Sequence, residues 1–324
     1  QRQMCIRDRR TFLQQLTEEG SKTMRVLAID SSGLTATVAV VEDEQTIAEY
    51  TVNYKKTHSQ TLLPMIDEVK KMIDLDLSSI DAIAVSGGPG SFTGLRIGSA
   101  TAKGLGLALG KPLIHVPTVD ALAYNVYGCG DLICPIMDAR RKQVYTGLYS
   151  FSHEVKDGTH LTEAAFHVEE QQMAIAVEEL ISKLNAYKRP VVFLGDGVPV
   201  YRQMLEEGLE VPYSFAPSYM NRQRAAVVGA LGIAYYYAGK YETAEAHKPD
   251  YLRVSQAERE RAQREKEAKT EVREMTIEDG AVVAEIEHQS FSDAWSEKAI
   301  LETLEQNNSV CFVAEKAGKR VGYL

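Results

Sequence analysis

A chain of 324 residues, 44% of them hydrophobic and 25% charged, is long enough to bury one or two substantial cores, which excludes a disordered or fibrous protein. A formal charge of −9 excludes the broad basic surface that holds phosphate backbones by counterion release, so direct, autonomous nucleic-acid binding is not expected. No stretch approaches the roughly 20 consecutive apolar residues that span a bilayer, because the longest candidate, 95–109, is broken by glycine and lysine.

Residues 1–23 carry Arg2, Arg7, Arg9 and Arg10 with no apolar core behind them, so they do not read as a secretory signal. They are expected to be an upstream or non-native extension ahead of Met24. From there Val26–Ile29, Thr35–Val41 and Thr46–Val52 are rich in β-branched residues and separated by turn signals, which predicts a three-stranded meander. Leu62, Ile66, Val69 and Ile73 recur at helical spacing and predict an amphipathic helix over 60–73. Ala82–Val85 reads as a buried strand, 87–94 as a glycine-rich turn, and 95–109 as a second helix stopped by Gly110.

The same grammar recurs: strands over 132–137 and 143–149 form a hairpin, 173–184 a helix, 191–194 a buried strand and 223–237 a long helix. Two α/β halves, 24–125 and 126–253, imply two lobes with a cleft between them. Residues 254–270 are dense in charges of both signs and read as a solvated linker. A further strand (272–275), a helix (277–290) and a hairpin around Ala317-Gly-Lys fill 271–324. Cys5, Cys129, Cys134 and Cys311 have neither zinc-ligand spacing nor a paired framework, which suits a reducing cytoplasm.

The run Gly87-Gly-Pro-Gly-Ser-Phe-Thr-Gly-Leu-Arg-Ile-Gly is the most distinctive feature. A strand-to-helix turn this rich in glycine exposes backbone N–H groups at a helix N-terminus, which suits an anion or a close backbone neighbour. It satisfies neither of two phosphate motifs: Gly94 is followed by Leu95 rather than Lys, and the third glycine of the dinucleotide fingerprint is missing. Gly94, Gly98, Ala102, Gly106 and Gly110 recur every four residues and leave one helix face nearly bare. That face fits close packing on the chain's own sheet or on the helix of another subunit. The 62/66/69/73 stripe has the same two readings.

Ala28-Ile-Asp-Ser-Ser, His58-Ser-Gln-Thr-Leu-Leu-Pro, the glycine run, Asp138-Ala-Arg-Arg and Pro249-Asp-Tyr-Leu-Arg, in this order, resemble the TsaB (YeaZ) family over about 24–253. The resemblance implies the two-lobed actin-like (ribonuclease H-like) α/β ATPase fold. It further implies a non-catalytic scaffold subunit that binds and activates a TsaD-type threonylcarbamoyltransferase, with a TsaE-type ATPase in the complex. The product is threonylcarbamoyladenosine at tRNA adenosine 37, and tRNA is contacted only through the complex. In such folds Asp30, Ser31, Gly88, Gly90, Ser91 and Asp138 match the positions that face a nucleotide. ATP or ADP with Mg²⁺, weakly held, is therefore the implied cofactor. An actin-fold nucleotide-dependent kinase or ATPase is the alternative reading.

The resemblance also implies that first-lobe helices meet the matching helices of TsaD, through Leu62, Leu63, Met65, Ile66, Val69, Gly98, Ala102 and Gly106. Both a monomer and a homodimer remain open for the isolated chain. TsaD-type subunits hold a metal with a His-x-x-x-His pair. Here His115-Val-Pro-Thr offers one histidine without a second at ligand spacing, so His115 reads as structural and no metal is expected. His58 reads as a helix-start residue.

Val272-Arg-Glu-Met-Thr-Ile-Glu-Asp, Glu285-Ile-Glu-His-Gln-Ser-Phe-Ser-Asp-Ala-Trp-Ser and Cys311-Phe-Val-Ala-Glu resemble the opening of RimI-like GNAT acetyltransferases, which modify a ribosomal protein N-terminus. The acetyl-CoA pyrophosphate loop is expected beyond residue 324, so acetyl-CoA belongs to a full-length domain. The resemblance implies that Phe291 and Trp295 contribute to the helical region near its peptide site, with buried packing as the blander reading of both.

Overall fold

The computed structural model describes residues 23–54, 56–153, 155–156, 160–161, 164–253, 270–306, 309–316 and 318–324. The extension ahead of Thr23 and all of the linker but Thr270 lie outside the described residues. The chain divides into two units at Arg253/Val254, and among the described residues no helix is long and apolar enough to cross a membrane.

The first unit repeats one architecture. β1 (Arg25–Asp30), β2 (Ala36–Glu42) and β3 (Gln45–Val52) form an antiparallel meander, followed by α1 (His58–Met72), β4 (Ala82–Gly88), α2 (Phe92–Leu109), β5 (Leu113–Pro117) and α3 (Thr118–Tyr124). The sheet order is β3-β2-β1-β4-β5, with β4 and β5 parallel to β1. The second lobe has β6 (Leu132–Asp138), β7 (Gln143–Ser152), β8 (Ala165–Ala176), α4 (Val177–Tyr187), β9 (Val191–Leu194), α5 (Val198–Gly208), β10 (Tyr213–Phe215) and α6 (Ala225–Tyr237). Its sheet order, β8-β7-β6-β9-β10, is the same third-second-first-fourth-fifth pattern, with three antiparallel strands and then two parallel ones. This is the two-lobed actin-like α/β class that the resemblance implies.

Each amphipathic stripe finds its sheet. Leu62, Met65, Ile66 and Val69 of α1 pack with Leu27, Ile29, Val38, Val40 and Val85 on one face of the first sheet. The other face is covered by α6, whose Val228 and Leu231 pack with Val26, Ala28 and Ala84. Gly229 and Gly232 sit against Val41 and Ala84, where added side chains would collide. Residues 225–237, assigned by sequence to the second lobe, therefore return to complete the first. Their all-round hydrophobicity marks a helix buried between elements and does not say which sheet it covers.

The segment 173–184 is a second correction. Met173–Ala176 belongs to β8, paired with Thr146, Tyr145, Val144 and Gln143 of β7, and the helix starts only at Val177. Val177, Leu180, Ile181 and Leu184 supply the helical period, and the acidic pair Glu178–Glu179 in the first turn favours the helix start there. β5, α3, α5 and β10 were not visible as separate elements in the sequence.

Asp120 on α3 ties the lobes together. Its buried carboxylate accepts from Tyr149 Oη on β7 at 2.7 Å and from Tyr235 Oη on α6 at 3.1 Å. Burial pushes its carboxyl up and the two phenols oppose that. Asp120→Ala leaves the buried Tyr149 phenol and the half-buried Tyr235 phenol without this acceptor and is expected to lower the stability of the unit by about 2 kcal/mol. The check is a lower denaturation midpoint at unchanged m value.

The second unit has β11 (Thr270–Glu274), a single helical turn at Ile277–Asp279, α7 (Gly280–Ser290), α8 (Glu297–Leu304), β12 (Phe312–Lys316) and β13 (Lys319–Tyr323). The sheet order is β11-β12-β13, all antiparallel, over a core of Met275, Val283, Ala284, Ile300 and Val313. Phe291 and Trp295 are exposed rather than packed, at 58% and 54%.

Candidate functional site

The glycine run folds as the end of β4 and the cap of α2. Gly88 takes φ +126, a conformation that side chains rarely adopt, and Ser91 caps the helix by accepting from Gly94 N. A side chain at Gly88 would strike the Asp250 carbonyl, at Gly90 the Ser32 carbonyl and at Gly94 the Ser31 carbonyl. Ser91 N donates to Ser32 O at 2.6 Å and Ser31 Oγ donates to Gly94 O at 2.9 Å. The glycines thus seat the β1–β2 turn on the start of α2, with Gly88, Gly90 and Ser91 against the chain's own backbone.

The two aspartates are likewise occupied. Asp30 is fully buried: Oδ1 accepts from Ser32 N and Ser32 Oγ, and Oδ2 accepts from Ser86 Oγ at 2.5 Å. Burial pushes its carboxyl up, against the hydrogen bonds from Ser86 and Ser32. Asp138 Oδ1 accepts from Tyr201 Oη and Arg140 N at 2.8 Å each, and its Oδ2 is 3.5 Å from the Arg140 guanidinium. Burial and Asp138 together push the Tyr201 phenol up to about 12. Arg140, Arg141 and Lys142 all have positive φ, which explains the distinctive segment after Asp138 as a left-handed hairpin turn. Asp30 offers no carboxylate oxygen free of its own chain's polar groups, whereas Asp138 Oδ2 has only the exposed Arg140 guanidinium beside it.

The expected partner face needs correction residue by residue. Leu62, Met65, Ile66, Val69, Gly98, Ala102 and Gly106 are all buried in the first lobe. A side chain at Gly98 would meet Ser31 and one at Gly106 would meet Leu113, so the four-residue stripe lets α2 approach the chain's own sheet. Leu63 alone of that set is exposed, at 56%. The outward side of α2 carries a second small stripe, Ala100, Gly104 and Ala108, exposed alongside Leu107. A side chain at Gly104 would meet open space.

Sequence spacing missed a cluster formed from distant segments. His115 on β5 and His247 in the tail after α6 bring their rings to 5.7 Å. One ligating atom each from His115, Glu242 and His247 lie within 4.8 Å of one another. The tail is held there by paired backbone bonds between Leu113 and Glu242 and by Asp250 N donating to Gly87 O. Lys103 Nζ donates to the Glu245 and His247 carbonyls. The only forewarning in the sequence was the solitary His115.

Over residues 45–261 the chain matches the family model described as TsaD, tRNA N6-adenosine threonylcarbamoyltransferase. It is 34% identical over 237 residues to the tRNA threonylcarbamoyladenosine biosynthesis protein TsaB of Bacillus subtilis, covering 72% of this chain and 96% of the relative. With the protein of that name from Haemophilus influenzae it shares 29% identity over 198 residues, 58% of this chain and 78% of the relative. Among solved structures, YeaZ from Pseudomonas aeruginosa is similar with a TM-score of 0.58 and 26% identity, covering 71% of this chain and all of that one.

Proposed function

The chain belongs to the TsaB family of tRNA threonylcarbamoyladenosine biosynthesis proteins, and from that premise we propose that it is a non-catalytic scaffold that binds and activates a TsaD-type threonylcarbamoyltransferase. The observation that carries this reading is the exposed face of α1 and α2. Leu63 on α1 and Ala100, Gly104 and Leu107 on α2 are exposed, and the small residues of α2 let a partner helix approach closely. The TsaD family model itself matches this chain, so the partner carries a lobe of the same kind and its corresponding helix pair is the natural occupant.

The closed carboxylate of Asp30 favours a scaffold over a nucleotide-dependent kinase. A net charge of −9 fits tRNA contact through the partner, with a TsaE-type ATPase supplying nucleotide turnover in the complex. For the second unit, the strand-helix-helix-strand-strand order favours a GNAT-like α/β segment, with acetyl-CoA as its ligand class.

The test is co-purification with the cognate TsaD-type subunit. Leu63→Glu and Gly104→Arg change exposed positions, so each is expected to shift stability by no more than about 0.5–1 kcal/mol. Both are expected to abolish stable association. Unimpaired association of both variants overturns the proposed face.

A further inference from the structure

We propose that His115 and His247, with Asp250 beside them and Glu242 supporting the His247 ring from behind, form a binding site for a divalent transition metal of the zinc class. The evidence starts with nitrogens that have nowhere else to go. His247 has no exposed side-chain surface, its Nδ1 lies 2.7 Å from Glu242 Oε1, and its Nε2 is buried without a hydrogen-bond partner. His115 Nε2 is also buried and unpartnered, since Asp250 Oδ2 at 3.3 Å lacks hydrogen-bond geometry. Buried polar atoms are normally satisfied, so two orphaned imidazole nitrogens on facing rings call for an occupant.

The protonation states suit a metal. With Nδ1–H donated to Glu242, His247 carries its lone pair on Nε2, and a carboxylate behind a ligating histidine is the usual support for such a nitrogen. Space has been made for the other ring: any side chain at Gly87 would overlap the His115 imidazole, and glycine there lets the ring lie against the end of β4.

Two imidazoles with carboxylates select zinc-class ions over magnesium or calcium, which prefer all-oxygen shells. Ligand atoms around a tetrahedral Zn²⁺ stand about 3.3 Å apart, and His115, Glu242 and His247 already bring one polar atom each within 4.8 Å of one another. Asp250 can move toward the ion, because its side chain is 55% exposed. The charges of the two carboxylates balance the dication, and the neighbouring Lys103 ammonium is held by the Glu245 and His247 carbonyls. Bound there, the ion would staple the tail to β4 and β5 beside the glycine run, a structural role independent of the partner face.

Chelator-stripped full-length chain titrated with Co²⁺ alone, followed by visible d–d absorption, tests the site, with Zn²⁺ competing for it. One equivalent of Co²⁺ is expected to bind and to be displaced by Zn²⁺, while Mg²⁺ gives no response. His115→Gln and Glu242→Gln, both at partly exposed positions, are expected to weaken binding by at least about tenfold. Their metal-free melting temperatures, held near wild type, separate lost ligation from lost fold, and His247→Gln adds the buried ligand. Absence of Co²⁺ absorption, or affinity unchanged in His115→Gln and Glu242→Gln, overturns the site.

Discussion

Asp279→Ala is expected to unfold the C-terminal unit while both lobes stay folded. The Asp279 side chain is fully buried and gathers the unit's charged network. Arg273 clamps both of its oxygens at 2.7 and 2.8 Å, Arg320 Nε donates at 2.9 Å, and Thr276 contributes its N–H and hydroxyl. It thereby links β11, the turn before α7 and β13, in a unit whose apolar core is small. Removing the shared acceptor leaves two guanidiniums facing each other. Because they can partly rehydrate, the loss is about 3 kcal/mol, at the lower end for a broken buried pair. Trp295 is the chain's single tryptophan and lies in this unit. Its fluorescence midpoint should fall while far-ultraviolet dichroism of the lobes keeps its own transition. A Trp295 midpoint equal to wild type would show that the network adds nothing.

The same carboxylate sets a pH signature. Hydrogen bonds from Arg273 hold Asp279 far below the usual carboxylate range, against the opposing effect of burial. A depressed folded pKa means stability that is complete above the unfolded value of about 3.9 and is lost as pH falls below it. The Trp295 midpoint should therefore drop below about pH 4 in the wild type, and Asp279→Ala should flatten that drop.

What the sequence revealed and what it concealed divide along physical lines. Local periodicity carried the meander, α1, the αL stop at Gly110 and the antiparallel hairpin near the C-terminus, because each is fixed by residues a few positions apart. Direction was not legible. α2 has small residues at 94, 98, 102 and 106 and again at 100, 104 and 108, and a period of four says only that a face is bare, not which way it points. Asp30 was readable as a candidate acid, but its closure by Ser86 depends on β4 pairing beside β1. His115 and His247 meet only because the tail crosses the end of β5, a tertiary event that leaves no spacing motif.

Ala102→Glu separates the two faces of α2 with the largest expected effect of any substitution here. Ala102 is 0% exposed and belongs to the core with Leu27, Ile29, Val85 and Leu113. A glutamate there must push its extra atoms into packed aliphatic groups and leave a charge without a partner. Overpacking alone typically costs about 1–3 kcal/mol, and an unpaired buried charge adds several more. The sum exceeds about 4 kcal/mol, a large share of the total stability of a domain. The variant is expected to be insoluble or to lose its cooperative melting transition. Gly104→Arg, two residues along the same helix, places a larger charged group on the outer face and is expected to melt like wild type while losing the TsaD-type partner. If Ala102 were itself a partner contact, Ala102→Glu would remain a folded, cooperatively melting protein that merely fails to associate, and that outcome would reverse the assignment of inner and outer faces.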